Sequence, residues 1–385
     1  MESRRAFVED ARHPGLSLTE LCATYGISRK TGYKWLARSE AGGRAALADR
    51  SRRPHGSPHA VPPAVRAAVV AARQRFPHWG VTKVRQWLVR TQPSVAWPSR
   101  ATMHRVWQQA GLVPRRRRTP RGTPWPPHAR TEATIANDVW TIDFKGSFRL
   151  GIGERCYPLT VRDLASRYVL GCAALHAEAT RPVQQHLERW LAQYGLPRVI
   201  RSDNGKPFAG TGLAGLSRLA VWWLRLGITV ERIPPACPQA NGSHERFHRD
   251  LKAATARPPA ATWGGQQRRF GRFCREYNEV RPHGALAGDV PAQHYAPSPR
   301  TLPRRLPALE YPGHWEPRRV SDDGCVSWRG RREFLSDALN GETVAFEEVD
   351  DGLWTVHLGT VSLARWLERE RCFRALRADQ LSPMS

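Results

Sequence analysis

Acidic side chains are scarce. The 385 residues hold 34 Asp and Glu against 60 Lys and Arg, a formal net charge of +26, and so basic a chain points to a polyanionic partner, nucleic acid first. Paired cysteines are missing too. The seven, at 22, 156, 172, 237, 274, 325 and 372, are scattered and include no Cys-x-x-Cys pair, which argues against a disulfide framework and a structural zinc site and for reduced thiols in the cytoplasm. Long apolar runs are also lacking. Residues 1–15, MESRRAFVEDARHPG, have no apolar core of signal-peptide length, and no run of about 18 apolar residues occurs anywhere, so no membrane partner is expected.

What is present is unevenly spread. Residues 1–130 hold 25 Lys and Arg against 6 Asp and Glu, whereas residues 131–385 hold 35 against 28. A basic front third on a nearly balanced remainder suggests dedicated binding modules followed by something else. Length and a hydrophobic content of 41% predict two to four domains with buried cores.

Residues 17–38, SLTELCATYGISRKTGYKWLAR, read as helix, tight turn, helix. Leu18, Leu21 and Cys22 recur at helical spacing, Gly26 turns the chain, and Ser28 caps a second helix that offers Arg29, Lys30 and Lys34 to a DNA major groove. Gly32 is out of pattern, because such helices bury an apolar side chain there. After an Arg-, Pro- and Ser-rich link, further helices are expected at residues 63–76, 81–90 and 99–111, the last capped by Ser99 and carrying Arg100, His104 and Arg105. Residues 114–130 contain five prolines and six arginines, among them Arg115, Arg116, Arg117 and Arg118. Such a linker stays extended and can follow phosphates.

From Val139 the pattern changes to period two. In VWTIDFKGSF, Val139, Thr141, Asp143 and Lys145 share one face, and Trp140, Ile142 and Phe144 the other. RCYPLTVRD and SRYVLGCAAL extend this to an antiparallel meander. A helix over 181–194, a strand over 198–202 ending at Asp203, a helix over 213–226, a strand over 228–233 and a further helix complete an α/β sandwich. That last helix, starting near Asn241 or Ser243, puts Glu245, His248, Arg249 and Lys252 on one face and Phe247, Leu251 and Ala254 on another.

Each acid has an ordinary explanation when taken singly. Glu245 pairs with Arg249 at i+4, Asp143 is a strand acid at a sheet edge, and Asp203 sits in a D-N-G turn, while a rival acid, Asp163, suits an Asx-turn. Together, Asp143, Asp203 and Glu245 can converge if the first and fourth strands are neighbours. Converging carboxylates repel unless a cation lies between them, and oxygen donors favour Mg²⁺ or Mn²⁺. Two such ions per active site, roughly 3.5–4 Å apart, clamp a phosphodiester between attacking and leaving oxygens.

The segments WTIDFKG, RSDNGKPF and PQANGSHERFHRDLK resemble the three signature segments of the DDE transposases of bacterial insertion sequences, whose catalytic core is shared with retroviral integrases. GISRKTGYKWLAR and LADRSRRP resemble that group's helix-turn-helix and following link, so the likeness runs over roughly residues 15–300. It implies a ribonuclease-H-like fold with Asp143, Asp203 and Glu245 as catalytic, metal-binding triad, and Lys252 at a basic position that contacts DNA. It also implies cleavage of transposon ends, attack of the freed 3′-hydroxyl on target DNA, a homo-oligomer on double-stranded DNA, and a bacterial, cytoplasmic, nucleoid-associated setting. The 41 residues between Asp203 and Glu245 are more than usual, and the retroviral zinc-binding front domain is absent.

The expected organisation is multidomain: helix-turn-helix units at 1–53 and 60–113, the linker at 114–130, a ribonuclease-H-like core with a mixed five-stranded sheet at 131–298, and a small β-barrel at 299–385. Two other readings compete with a transposase: a catalytically silent, transposase-derived DNA-binding regulator and a ribonuclease-H-like nuclease.

Overall fold

Ser17 starts a helix of the front unit with a reciprocal cap, its hydroxyl accepting from the Glu20 N–H and the Glu20 carboxylate accepting from the Ser17 N–H. The computed structural model describes residues 2–13, 15, 17–49, 60–113, 131–210, 215–233, 242–370 and 372–376. The chain falls into two compact units, Met1–Pro62 and Pro63–Ser385.

In the first unit, α1 (Glu2–Asp10), α2 (Leu18–Thr24) and α3 (Arg29–Gly42) enclose Phe7, Val8, Leu21, Cys22 and Leu47. Ser28 caps α3 as expected, and Gly26, at φ +61°, makes the turn. The unexpected helix, α1, accounts for Gly32. A Cβ there would stand 2.7 Å from Cys22 Sγ and 3.0 Å from Phe7 Cζ, so the phenyl ring of α1 fills the space a larger side chain occupies elsewhere.

The second unit opens with α4 (Pro63–Arg75), α5 (Val81–Thr91) and α6 (Arg100–Gln109), close to the predicted spans. They pack around Val69, Val84, Leu88, Met103 and Trp107, whose indole N–H donates to the Val69 carbonyl at 3.0 Å. Arg90 donates to the Val280 carbonyl at 2.6 Å, so this bundle is joined to the end of the core domain behind it.

The central sheet comprises β1 (Val139–Phe144), β2 (Phe148–Arg149), β3 (Arg155–Asp163), β4 (Val169–Leu175), β5 (Val199–Ser202) and β6 (Thr229–Arg232). Its order is β2-β3-β1-β5-β6 with β4 on the other edge of β3. It is mixed, as expected, but has six strands rather than five. VWTIDFKGSF is two strands, because Gly146 at φ +73° breaks the ladder. Trp140 and Ile142 face α7 (Thr180–Tyr194) and α8 (Arg218–Arg225), sharing a core with Val183, Leu187, Leu219 and Trp223. The opposite face carries α9 (Gly242–Thr255) and α10 (Trp263–Arg275), the latter running on into a π turn at Glu276–Val280.

Two expectations need correction. The helix predicted over 213–226 begins at Arg218, capped by the Ser217 hydroxyl, and residues 211–214 lie outside the described residues. The C-terminal module is not a closed barrel. Its strands β7 (Glu316–Arg319), β10 (Thr343–Asp350), β11 (Leu353–Leu358), β12 (Val361–Leu367) and β13 (Cys372–Ala375) form a sheet of order β13-β12-β11-β10-β7, while β8 (Cys325–Trp328) and β9 (Arg331–Phe334) pair only with each other. Among the described residues the edges β7 and β13 do not join. Closure is replaced by burial on α8, whose Ala220 and Val221 share a core with Trp328, Phe346 and Trp366.

Candidate active site

β1 and β5 pair in parallel, with Thr141 level with Arg201. Two residues further along each strand come Asp143 and Asp203, which sets the two acids side by side at the carboxyl ends of neighbouring strands. Glu245 lies in the first turn of α9, exposed. Burial, then the Asp203 and Glu245 charges, pushes the Asp143 carboxyl up to about 7, against the pull of the Phe144 N–H and Lys145. Asp143 thus feels the charge of both Asp203 and Glu245. A fourth acid, Glu178, is raised by partial burial and by Asp203, and nothing in its local sequence distinguished it.

The side chains that approach most closely are a different set. Ligand atoms of Asp143, His244 and His248 lie within 4.8 Å of one another, the one such group of three among the described residues. Asp143, Asp203 and Glu245 do not together form such a group among the described residues.

The histidines sit where they do because α9 buries a polar face. Strand alternation turns Thr141 and Asp143 of β1, with their partners Arg162 and Thr160 of β3, toward it. His244 Nδ1 meets Thr141 Oγ1 at 2.9 Å, and Nε2 of both His244 and His248 meets Thr160 Oγ1 at 2.8 Å. Arg162, buried, donates to the Ser243 carbonyl at 3.0 Å and stacks over Phe247. Arg167 donates to Ser243 Oγ at 2.9 Å. Ser243 is therefore inside the first turn rather than a cap, and Asn241 lies outside the described residues. Burial, then Lys145 and Arg162, lowers the His248 pKa to about 3. His244 is driven well down by burial, His248 and Arg162.

The expected faces of α9 hold in part. Phe247 and Leu251 are buried, and Glu245, Arg249 and Lys252 exposed, but His248 changes sides to join the buried set while Ala254 is exposed. The His-x-x-x-His spacing on one helix face was the available signal. The competing acid, Asp163, is committed elsewhere: one carboxylate oxygen accepts from the Ser166 N–H at 2.7 Å and the other from the Asn137 N–H at 2.8 Å. Asp203 Oδ1 accepts from the Gly205 N–H at 3.1 Å, which holds its turn and leaves Oδ2 for other work.

Arg29, Lys30 and Lys34 are exposed on α3, as are Arg100 and Arg105 on α6. Arg115, Arg116, Arg117 and Arg118 lie outside the described residues. Among the described residues no helix is long and apolar enough to cross a membrane.

Comparison with known proteins agrees with this architecture. Residues 3–55 match a helix-turn-helix domain, residues 31–107 a homeodomain-like domain, and residues 133–238 and 226–291 an integrase core domain. The insertion element IS476 uncharacterized 39.2 kDa protein of Xanthomonas euvesicatoria is 26% identical over 62% of this chain and 66% of its own length. The IS407 uncharacterized 31.7 kDa protein of Burkholderia multivorans is 27% identical over 50% of this chain and 68% of its own length. The chain thus spans about two thirds of these relatives. Similar solved structures include a simian T-cell lymphotropic virus intasome in complex with PP2A regulatory subunit B56 gamma, at 16% identity and a TM-score of 0.37, covering 76% of this chain and 97% of that one. Residues 133–291 thus match integrase core domains behind matches to helix-turn-helix domains, and the chain is similar to proteins of bacterial insertion elements and, over 33% of its length, to the Gag-Pol polyproteins of baboon endogenous virus and feline leukemia virus.

Proposed function

We propose that this chain is a transposase that cuts DNA at the ends of its element and joins the freed 3′-hydroxyl to a target duplex. The observation that carries the reading is the pair of strand-end acids, Asp143 and Asp203, on adjacent parallel strands, with Glu245 in electrostatic contact from α9. A carboxyl held up to about 7 by burial and two like charges fits a divalent cation, whose binding offsets that repulsion. The oxygen donors of Asp143, Asp203 and Glu245 suit Mg²⁺ or Mn²⁺, two ions to a site. When bound, such ions supply Lewis-acid activation of the attacking oxygen and charge relief at the leaving one.

The remaining work falls to the chain itself. Asp143 lies in β1 and Asp203 directly after β5, so the sheet sets where they stand, while Glu245 is carried in the first turn of α9. Arg249 and Lys252, exposed one and two turns beyond Glu245, are suited to guiding the DNA backbone to the acids. Arg29, Lys30 and Lys34 on the first bundle, and Arg100 and Arg105 on the second, are suited to reading the element's ends, with Arg115 to Arg118 of the following linker adding phosphate contacts. Two ends must meet, so the working form is a homo-oligomer on DNA. We take residues 60–113 and 131–298 as the second DNA-binding unit and the catalytic core, and the C-terminal sheet as a support for α8.

The test is a strand-joining assay with Mg²⁺, a labelled duplex carrying the element's terminal sequence, and unlabelled target DNA. Nicking followed by joining is expected. Asp203→Asn should abolish both by at least about 100-fold while leaving DNA binding intact. Nicking without joining indicates a nuclease, and binding without nicking a silent regulator.

A further inference from the structure

The bonding around Thr160 decides which nitrogen of His248 is available. Thr160 Oγ1 lies 3.0 Å from the Asp143 carbonyl oxygen and 2.8 Å from Nε2 of His244 and of His248. A hydroxyl has one proton to give and two lone pairs to receive. The carbonyl can only accept, so it takes the proton, and the lone pairs take the two imidazole N–H groups. His248 is thereby fixed with its proton on Nε2 and a lone pair on Nδ1.

That lone pair points at the acid. His248 Nδ1 stands 3.7 Å from Asp143 Oδ2, beyond hydrogen-bond length, and the nitrogen brings no proton to the gap. His244, the other imidazole of the group, has no comparable freedom, because both of its nitrogens are bonded to threonine hydroxyls. An imidazole whose far N–H is held by a fixed acceptor, with the near nitrogen beside a carboxylate oxygen, is arranged as metal-ligating histidines are.

We propose that His248 Nδ1 is a nitrogen ligand to a divalent ion shared with Asp143, so that the centre is a mixed oxygen and nitrogen site that takes Mn²⁺ in preference to Mg²⁺. This rests on the proposed role of the carboxylates as a metal site. Imidazole is a softer donor than carboxylate and is a poor partner for Mg²⁺, which favours oxygen, so one histidine shifts the selectivity of the centre. Thr160 acts as the positioning residue that keeps the ring turned.

The experiment loads the full-length, metal-free protein with Mn²⁺ and records electron spin echo envelope modulation, which detects a directly bound ¹⁴N, alongside Mn²⁺ and Mg²⁺ titrations. Wild type should show ¹⁴N coupling that disappears in His248→Asn, with Mn²⁺ affinity falling by about tenfold or more and Mg²⁺ affinity by a smaller factor. The wild-type spectrum is decisive even if that variant folds poorly. Mn²⁺ bound without nitrogen coupling, and lost in Asp143→Asn, overturns the ligand role of His248 and leaves the carboxylate site standing. Failure of the wild type to bind Mn²⁺ at Asp143 removes both.

Discussion

At Asp143 the cost of assembling the site is written in a single ionisation. Its carboxyl is raised from 3.8 to about 7, so between those values the folded chain keeps a proton that the unfolded chain has released. Stability is then highest below the unfolded value and falls as pH rises through the window, reaching a penalty of on the order of 3 kcal/mol or less above it. Metal-free Asp143→Asn should therefore melt above wild type at pH 8, with the difference shrinking toward pH 4. Mg²⁺ should raise the wild-type melting temperature at pH 8 and not that of the variant. Thermal denaturation across pH checks this, and a variant less stable than wild type at pH 8 contradicts it.

Gly32 shows a residue legible in sequence as an exception but not as a cause. It departs from the helix-turn-helix pattern, and the reason, Phe7 on α1, sits in a short charged stretch whose helical character only the packed unit makes plain. Gly32→Ala should destabilise the front unit by about 1–3 kcal/mol through overpacking against Cys22 and Phe7. Chemical denaturation of the full chain, followed at Trp35, reads that loss.

Among the elements, α9 was legible as a helix and as the carrier of Glu245, since three- and four-residue spacings reveal a helix face directly. Its buried face was harder to read. His244 and His248 look like surface residues among Arg246, Arg249 and Lys252 until Thr141 and Thr160, from strands about a hundred positions earlier, supply their partners. Polar burial of this kind depends on pairings across the sheet that local periodicity does not encode.

The helix α8 carries the opposite lesson. LAVWWLR is apolar around most of its circumference because both sides are covered, Leu219 and Trp223 by the central sheet and Ala220 and Val221 by the C-terminal sheet. The barrel expected there came from strand spacing alone, and the sheet instead closes its core with a helix from the preceding domain. Val221→Asp should release the C-terminal sheet while sparing the central one, seen as faster proteolysis confined to residues beyond 299. Trp223→Ala should cost about 3–5 kcal/mol and unfold the core itself.

For the whole molecule, the excess of positive charge in residues 1–130 and the basic face of α9 make DNA binding an electrostatic matter first. The logarithm of affinity should fall linearly with the logarithm of salt concentration. Replacing Arg249 or Lys252 by Ala should reduce that slope by about one unit each without changing sequence preference. Equilibrium binding at several salt concentrations provides the check. The second helical bundle is joined to the core, as the Arg90 contact to Val280 shows, so α6 and α9 belong to one unit.

The central claim is that Asp143 and Asp203 hold a divalent ion between them, and anomalous X-ray scattering from crystals grown with Mn²⁺ tests it most directly. A manganese peak bridging the two carboxylates, with Glu245 drawn toward it, is the predicted result. Manganese bound elsewhere while Asp143 and Asp203 remain without it would contradict the account.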